Sequence, residues 1–141
     1  IGSGLENEQI RFTVYNLGLE NRVHFFGQLK QDKIKDILTD TDFYIQYSVQ
    51  EGFCNAVLEA QAMGVLPIVS DAEGLSENVL HQETGWVVQK CKPSLLAKQM
   101  IESINLKEEE KIKMQQMSMH RVREEFNVKK QQQEFIEFYS Q

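Results

Sequence analysis

The chain has 141 residues, with 15 basic and 21 acidic side chains and a net charge of −6; this acidic balance excludes nucleic acid as an expected partner. No run approaches the roughly 18 apolar residues of a membrane span, and no secretory signal pattern is read at the start. Two cysteines, Cys54 and Cys91, make no disulfide framework, so a reducing cytoplasm is the expected setting.

In chain order, Ile1 reads as the last residue of a strand, followed by the glycine turn Gly2-Ser3-Gly4. Leu5 to Leu17 is expected to be a helix with Ile10, Val14 and Leu17 on one side, stopped by Gly18. Arg22 to Gly27 reads as a short, almost continuously apolar strand, as in a parallel sheet buried on both faces. The spacing predicts a helix over Gln31–Thr39, with Ile34, Ile37 and Leu38 inward, and strands over Phe43–Tyr47 and Leu66–Val69. Between those strands lies a helix that Asn55 is placed to cap and Gly64 to end. A short helix over Leu75–Leu80 and a strand over Gly85–Val88 follow. Pro93 suits the first turn of a helix reaching Ile104, with Leu96, Met100 and Ile104 inward. Leu106 to Glu125 reads as a helix with the stripe Ile112, Met119, Val122 and Phe126. Asn127 is placed to cap a last helix anchored by Phe135 and Tyr139.

Strands alternating with helices predict an α/β domain with a Rossmann-like parallel sheet and helices on both faces. Ligands of such sheets bind beyond the carboxyl ends of the strands. The expected site loops are therefore Gly2–Gly4, Gly27–Leu29, Tyr47–Asn55 and Ser70–Glu77, all on one rim.

The central stretch is Glu51-Gly52-Phe53-Cys54-Asn55-Ala56-Val57-Leu58-Glu59-Ala60-Gln61-Ala62-Met63-Gly64. Glu51 is expected on the turn outside the first of its two strands. Glu59 lies early in the helix, where side chains lean toward the N-terminus, so both acids face one crevice. Free N–H groups of the helix start favour an anion such as a diphosphate in the same place. Acceptors for sugar hydroxyls beside donors for phosphate suit a nucleotide sugar. On the carboxylates alone, a solvated Glu51 and a Glu59 that complements the helix dipole remain an open alternative.

Other groups carry less. Asp40-Thr41-Asp42 imitates an Asp-x-Asp metal motif but falls where a helix end enters a strand, on the opposite rim, with no third ligand. His24, His81 and His120 fit no metal spacing and read as packing or surface residues, so no metal site is expected. Cys54 lacks the histidine partner that marks a nucleophile, and Ser70 and Ser76 lack a nucleophile elbow.

Together, the paired glutamates Glu51 and Glu59, the intervening Phe53 and Asn55, and the later Ser70–Glu77 and Glu83-Thr84-Gly85-Trp86-Val87-Val88 resemble one family. It is the C-terminal domain of the glycosyltransferase group 1 enzymes (glycosyltransferase family 4, GT-B fold), and the resemblance runs from Ile1 to the final helix. It implies a retaining transferase that moves a sugar from a nucleoside diphosphate, UDP or GDP, to a glycan or lipid-linked acceptor, with no bound metal or other cofactor. Glu51 is then the candidate catalytic residue, holding hydroxyls of the transferred sugar, and Glu59 accepts the ribose hydroxyls. Backbone N–H groups of Phe53, Cys54, Asn55 and Ala56 meet phosphate and sugar. Gly27 and Gln28 read the base edge, and Gly2 lies near the nucleotide. Cys54 stands where the family usually has a second glycine, a departure that narrows the approach to phosphate or sugar. Asp42 matches a family aspartate kept for structure.

The same resemblance implies that residues 1–141 are one nucleotide-sugar-binding domain of a larger enzyme, with 107–141 as its C-terminal helices. By this reading the chain lacks the first strand–helix unit, which brings an Arg and a Lys to the diphosphate, and the N-terminal domain that binds the acceptor. The fragment alone is then expected to be inactive, and no general acid or base is assigned in it. The whole enzyme is expected to be cytoplasmic, with peripheral contact at the inner membrane face. Two other readings stay open: another GT-B enzyme, inverting or a sugar-nucleotide epimerase, and a non-catalytic interaction domain of the same fold.

Overall fold

The computed structural model describes Ile1 and residues 7–139. The chain divides into two compact units, Ile1–Thr39 and Asp40–Gln141.

The first unit holds α1 (Asn7–Asn16) and α2 (Gln31–Thr39). Helix α2 has the predicted bounds, and Leu38 is its buried residue. Helix α1 departs from expectation, because Ile10 and Leu17 are exposed and only Val14 of the predicted stripe is half-buried. The strand expected over Arg22–Gly27 does not form: Val23–Gly27 is irregular chain with no ladder partner among the described residues. Its entry explains why. The N–H groups of Arg22 and Val23 both donate to the Leu19 carbonyl, so they close a turn rather than a ladder. Burial alternates along the segment, with Val23 and Phe25 half-covered and His24 and Phe26 exposed. The Arg11 guanidinium lies 4.2 Å from the centre of the Phe25 ring.

The second unit is a three-stranded parallel sheet with helices on both faces, as the alternation of elements requires. Its strands are β1 (Phe43–Gln46), β2 (Leu66–Ser70) and β3 (Trp86–Val88), in the spatial order β1-β2-β3. Phe43 pairs with Leu66 and Ile68 with Trp86. Helices α3 (Asn55–Ala62) and α4 (Glu73–Asn78) follow β1 and β2, and α5 (Pro93–Ile104), α6 (Glu108–Glu125) and α7 (Val128–Tyr139) follow β3.

Side-chain alternation along each strand divides the core into two layers. Val57 of α3 and Leu75 of α4 pack with Val69, Tyr44 and Val87 on one face. Leu96 and Met100 of α5 and Met114 of α6 pack with Leu66, Ile68, Trp86, Val88 and Phe43 on the other. Only β2 is buried along its whole length; β1 leaves Ile45 exposed, so the expected burial on both faces holds for the central strand alone.

Proline in a central strand is unusual because it cannot donate to a ladder. Leu66 donates its N–H to the Asp42 carbonyl, on the β1 side. Alternation therefore turns the nitrogen of Pro67 toward β3, whose ladder begins one residue later, at Ile68 with Trp86.

Helix α3 ends as predicted. Gly64 has φ +78 and donates to the Gln61 carbonyl at 3.0 Å, and Val65 donates to the Ala60 carbonyl at 3.0 Å. This paired closure needs a left-handed residue, the conformation that a side chain disfavours.

Helix α6, about 27 Å long at 1.5 Å per residue, runs antiparallel along α3. Met119 reaches Gly64 at the end of α3, and Phe126 meets Phe53 just before its start, with ring centres 5.6 Å apart. Of the expected stripe of α6, Met119, Val122 and Phe126 are half-buried and Ile112 alone is exposed, while Ser118, outside the stripe, is fully buried. On α5, Leu96 and Met100 face the core but Ile104 is exposed, because the Asn105–Leu106 turn carries the chain away and Leu106 packs inward instead.

Candidate functional site

The carboxyl ends of β1 and β2 bring the central stretch together with α4. Strand β1 delivers Tyr44 and Gln46 on one face. The chain then turns through Tyr47–Cys54 into α3. The Ser70 hydroxyl, fully buried at the end of β2, donates to the Ser48 carbonyl at 2.5 Å and fixes the turn. Tyr47 reaches the segment after β3, where its hydroxyl donates to the Gln89 carbonyl and accepts the Lys92 N–H at 3.0 Å.

Glu51 is half-buried in this turn and held by two donors. Ser48 Oγ donates to Glu51 Oε2 at 2.9 Å and Gln46 Nε2 donates to the same oxygen at 3.2 Å. Gln46 Nε2 also donates to Ser48 Oγ at 2.8 Å, and the Tyr44 hydroxyl donates to Gln46 Oε1 at 3.0 Å.

The turn leans on the start of α4. Gly74 N–H donates to the Glu51 carbonyl at 3.2 Å. A Cβ on Gly74 would stand 2.1 Å from the Gly52 oxygen and 2.7 Å from the Phe53 nitrogen, so only glycine permits this approach.

Helix α3 is entered differently from expectation. Its N-cap is Cys54, in extended conformation and with no side-chain cap, and Asn55 is the first helical residue. The reason is a tertiary bond: the Cys54 N–H donates to Oδ1 of the fully buried Asn78 at 3.1 Å. The chain is thereby pinned to the end of α4 one residue before Asn55 can cap. The start of α3 thus has no side-chain cap, and its first-turn N–H groups at Asn55 and Ala56 have no acceptor within the helix.

Glu59 is exposed on α3. The Tyr44 phenol is pushed up to about 12, first by burial and then by the charges of Cys54, Glu51 and Glu59. Glu51 thus stands on the turn after β1 and Glu59 on α3, at the carboxyl rim.

The remaining site expectations divide. Phe53 is exposed, its ring against Phe126. Gly27, with φ +63, and the exposed Gln28 belong to the first unit. Gly2 lies outside the described residues. Asp42 precedes β1, at the amino end of the sheet, and its carbonyl serves the β2 ladder. Among the described residues no three His, Cys, Asp or Glu side chains converge as ion ligands do. At the far side of the rim, Glu73 is held below its ordinary value by its own backbone N–H and by Lys90, whose ammonium lies 3.4 Å away.

Sequence reasoning put Ser48 in a site loop without a role and missed Tyr44, Gln46, Asn78 and Arg121. Gln46 left a trace, a lone amide closing the apolar run Phe43-Tyr44-Ile45. Arg121 left none, since it acts from a helix 43 residues away from its partner Asn78.

The chain matches the family model described as glycosyl transferases group 1 over residues 1–119. It is 36% identical over 110 residues to N-acetyl-alpha-D-glucosaminyl L-malate synthase of Bacillus anthracis, covering 78% of this chain and 28% of that protein. With an uncharacterized glycosyltransferase of Methanocaldococcus jannaschii it shares 34% identity over 95 residues, covering 67% of this chain and 24% of that one. A glycosyltransferase from Rickettsia africae has the same fold, with TM-score 0.86 and 25% identity over 94% of this chain and 35% of its own. HepE of Anabaena, solved in complex with UDP-glucose, has TM-score 0.86 at 23% identity over 99% of this chain and 39% of its own, a likeness of fold. The chain spans 28% and 24% of the lengths of the two curated relatives.

Proposed function

This chain belongs to the group 1 glycosyl transferases, with the GT-B fold, and we propose that it is the donor-binding domain of a retaining enzyme that transfers a sugar from a nucleoside diphosphate to a glycan or lipid-linked acceptor. The observation that carries this reading is the placement of Glu51, on the turn after β1, and Glu59, on α3, about the start of that helix at the carboxyl rim. Glu59 accepts the ribose hydroxyls. Glu51, whose Oε2 is engaged by Ser48 and Gln46, turns Oε1 to hydroxyls of the transferred sugar. N–H groups of Phe53, Cys54, Asn55 and Ala56 meet the diphosphate and sugar, and the helix start favours that negative charge.

The donor nucleoside is uridine or guanosine. Names among the relatives support both, since HepE is solved with UDP-glucose and a Xanthomonas oryzae relative acts on GDP-mannose. In this reading residues 1–141 form one nucleotide-sugar-binding domain, with 107–141 as its C-terminal helices. Another part of the full-length protein binds the acceptor and completes the diphosphate site. Among the described residues no helix is long and apolar enough to cross a membrane. The proposed setting is the cytoplasm, with peripheral contact at the inner face of the membrane.

A thermal-shift panel on the full-length protein tests the donor. UDP-glucose, UDP-N-acetylglucosamine or GDP-mannose should raise its unfolding temperature, and no response to any of them would remove the reading. NMR of the product then tests stereochemistry: an axial donor linkage retained in the product supports the retaining course, and inversion overturns it.

A further inference from the structure

We propose that Tyr44 and Gln46 are positioning residues, a directional hydrogen-bond relay that holds the Glu51 carboxylate in one orientation toward the transferred sugar. This rests on the reading of Glu51 given above. Residues 44 and 46 share a face of β1, because side chains alternate along a strand. Tyr44 packs in the layer beneath α3 and α4, while Gln46, at the last position of the strand, stands at the rim. The relay therefore runs from packed interior to site.

Its direction is set by chemistry. A carboxylate only accepts hydrogen bonds, so Gln46 must turn its Nε2 to Glu51. The Oε1 of Gln46 then faces Tyr44, whose hydroxyl must donate, as it does at 3.0 Å. Ser48 closes the arrangement, receiving from Gln46 at 2.8 Å and donating to Glu51 at 2.9 Å. The backbone carbonyl of Ser48 is in turn fixed by Ser70. Each group has one orientation that satisfies its neighbours, and a carboxylate on an otherwise adaptable stem is held in one rotamer before a sugar arrives. The raised phenol of Tyr44 keeps its donor proton throughout the neutral range.

The test uses the full-length protein and whichever of UDP-glucose, UDP-N-acetylglucosamine and GDP-mannose the wild type turns over. Tyr44→Phe, Gln46→Met, the double variant and Glu51→Ala are compared for kcat, KM, affinity for free UDP or GDP, and unfolding temperature. Gln46→Met should lower kcat about tenfold, with affinity for the free nucleotide within about twofold of wild type. Tyr44→Phe should lower it about threefold, and the double variant should match Gln46→Met, because Tyr44 acts through Gln46. Additive losses, or wild-type kcat in both single variants, would overturn the relay. If Gln46→Met fails to fold, Tyr44→Phe, which keeps the packed ring, must still lower kcat at unchanged nucleotide affinity. Glu51→Ala separates the two readings. Lost turnover there with normal turnover in Gln46→Met removes the relay alone, whereas normal turnover in Glu51→Ala removes the assignment of Glu51 and the relay with it.

Discussion

Gly74 and Tyr44 show how much of the site rests on single positions. The contacts that a side chain on Gly74 would make are all with backbone of Gly52 and Phe53, so nothing can rotate away. Gly74→Ala should therefore displace the turn that carries Glu51. The expected loss is about 1–3 kcal/mol in urea unfolding, as for other overpacked sites; a loss of less than about 0.5 kcal/mol would mean that the turn yields at little cost. Tyr44 gives a pH signature. Its phenol is raised from 10.0 to about 12, so between those values the unfolded chain releases the proton while the fold retains it. Its contribution to stability is complete below about pH 10 and is lost as pH rises through about 12. Unfolding followed across this range should show that fall, and Tyr44→Phe should reduce it; an identical fall in the variant would contradict the shift. At this scale the sequence is most legible where chemistry repeats at fixed spacing, as in Glu51 and Glu59. It is least legible where a residue works through tertiary partners. Asn78 is a helix residue by pattern, and only the fold shows that it, rather than Asn55, receives the N–H at the entrance to α3.

Helix α6 acts as a brace for the site. Arg121 donates to the carbonyls of Asn78 at 2.7 Å and Glu77 at 2.9 Å, occupying the C-terminal carbonyls of α4, where a cation is favoured. Its guanidinium also lies 5.0 Å from the Phe126 ring centre and pairs with Glu125 at 2.7 Å. Phe126 meets Phe53, so the last turn of α6 supports both sides of the entrance to α3. Arg121→Met keeps the stem and removes these bonds. It should cost about 1.5–3 kcal/mol in chemical denaturation, the range for hydrogen bonds from a charged group; a change below about 0.5 kcal/mol would show that the brace is dispensable. The burial of α6 positions outside its expected stripe has the same origin. Its inward positions include Ser118 and the half-buried Arg121, and hydropathy assigns neither to a core. Helices with a local signal were read well, as with α5, where Pro93 stands at the start. Helix α4 begins at Glu73, two residues before the predicted Leu75, since its start is set by contact with the Gly52–Phe53 turn. The apolar run at Val23–Phe26 suggested a strand, but composition does not supply a ladder partner.

For the molecule as a whole, the parallel α/β class and the carboxyl-rim location follow from the order of elements, because strand–helix alternation admits few arrangements. What lies beyond this chain follows from comparison alone, since it spans 28% of the Bacillus anthracis relative. The isolated 141-residue chain is therefore expected to bind donor weakly and to transfer no sugar. It is also expected to self-associate, because α7 exposes Phe138 and Tyr139 at 73% and 70%. Activity assays and sedimentation check this, and a monomeric, active chain would contradict the proposed division of labour with the rest of the protein. The Glu51–Glu59 rim is proposed to bind a nucleoside diphosphate. The most direct measurement is a calorimetric titration of full-length wild type and Glu59→Gln with UDP and GDP. The expected result is saturable binding of one of them by the wild type, weakened in the variant by about 1.5–3 kcal/mol, at unchanged unfolding temperature. Equal affinity in wild type and variant would take Glu59, and with it the rim, out of the donor site.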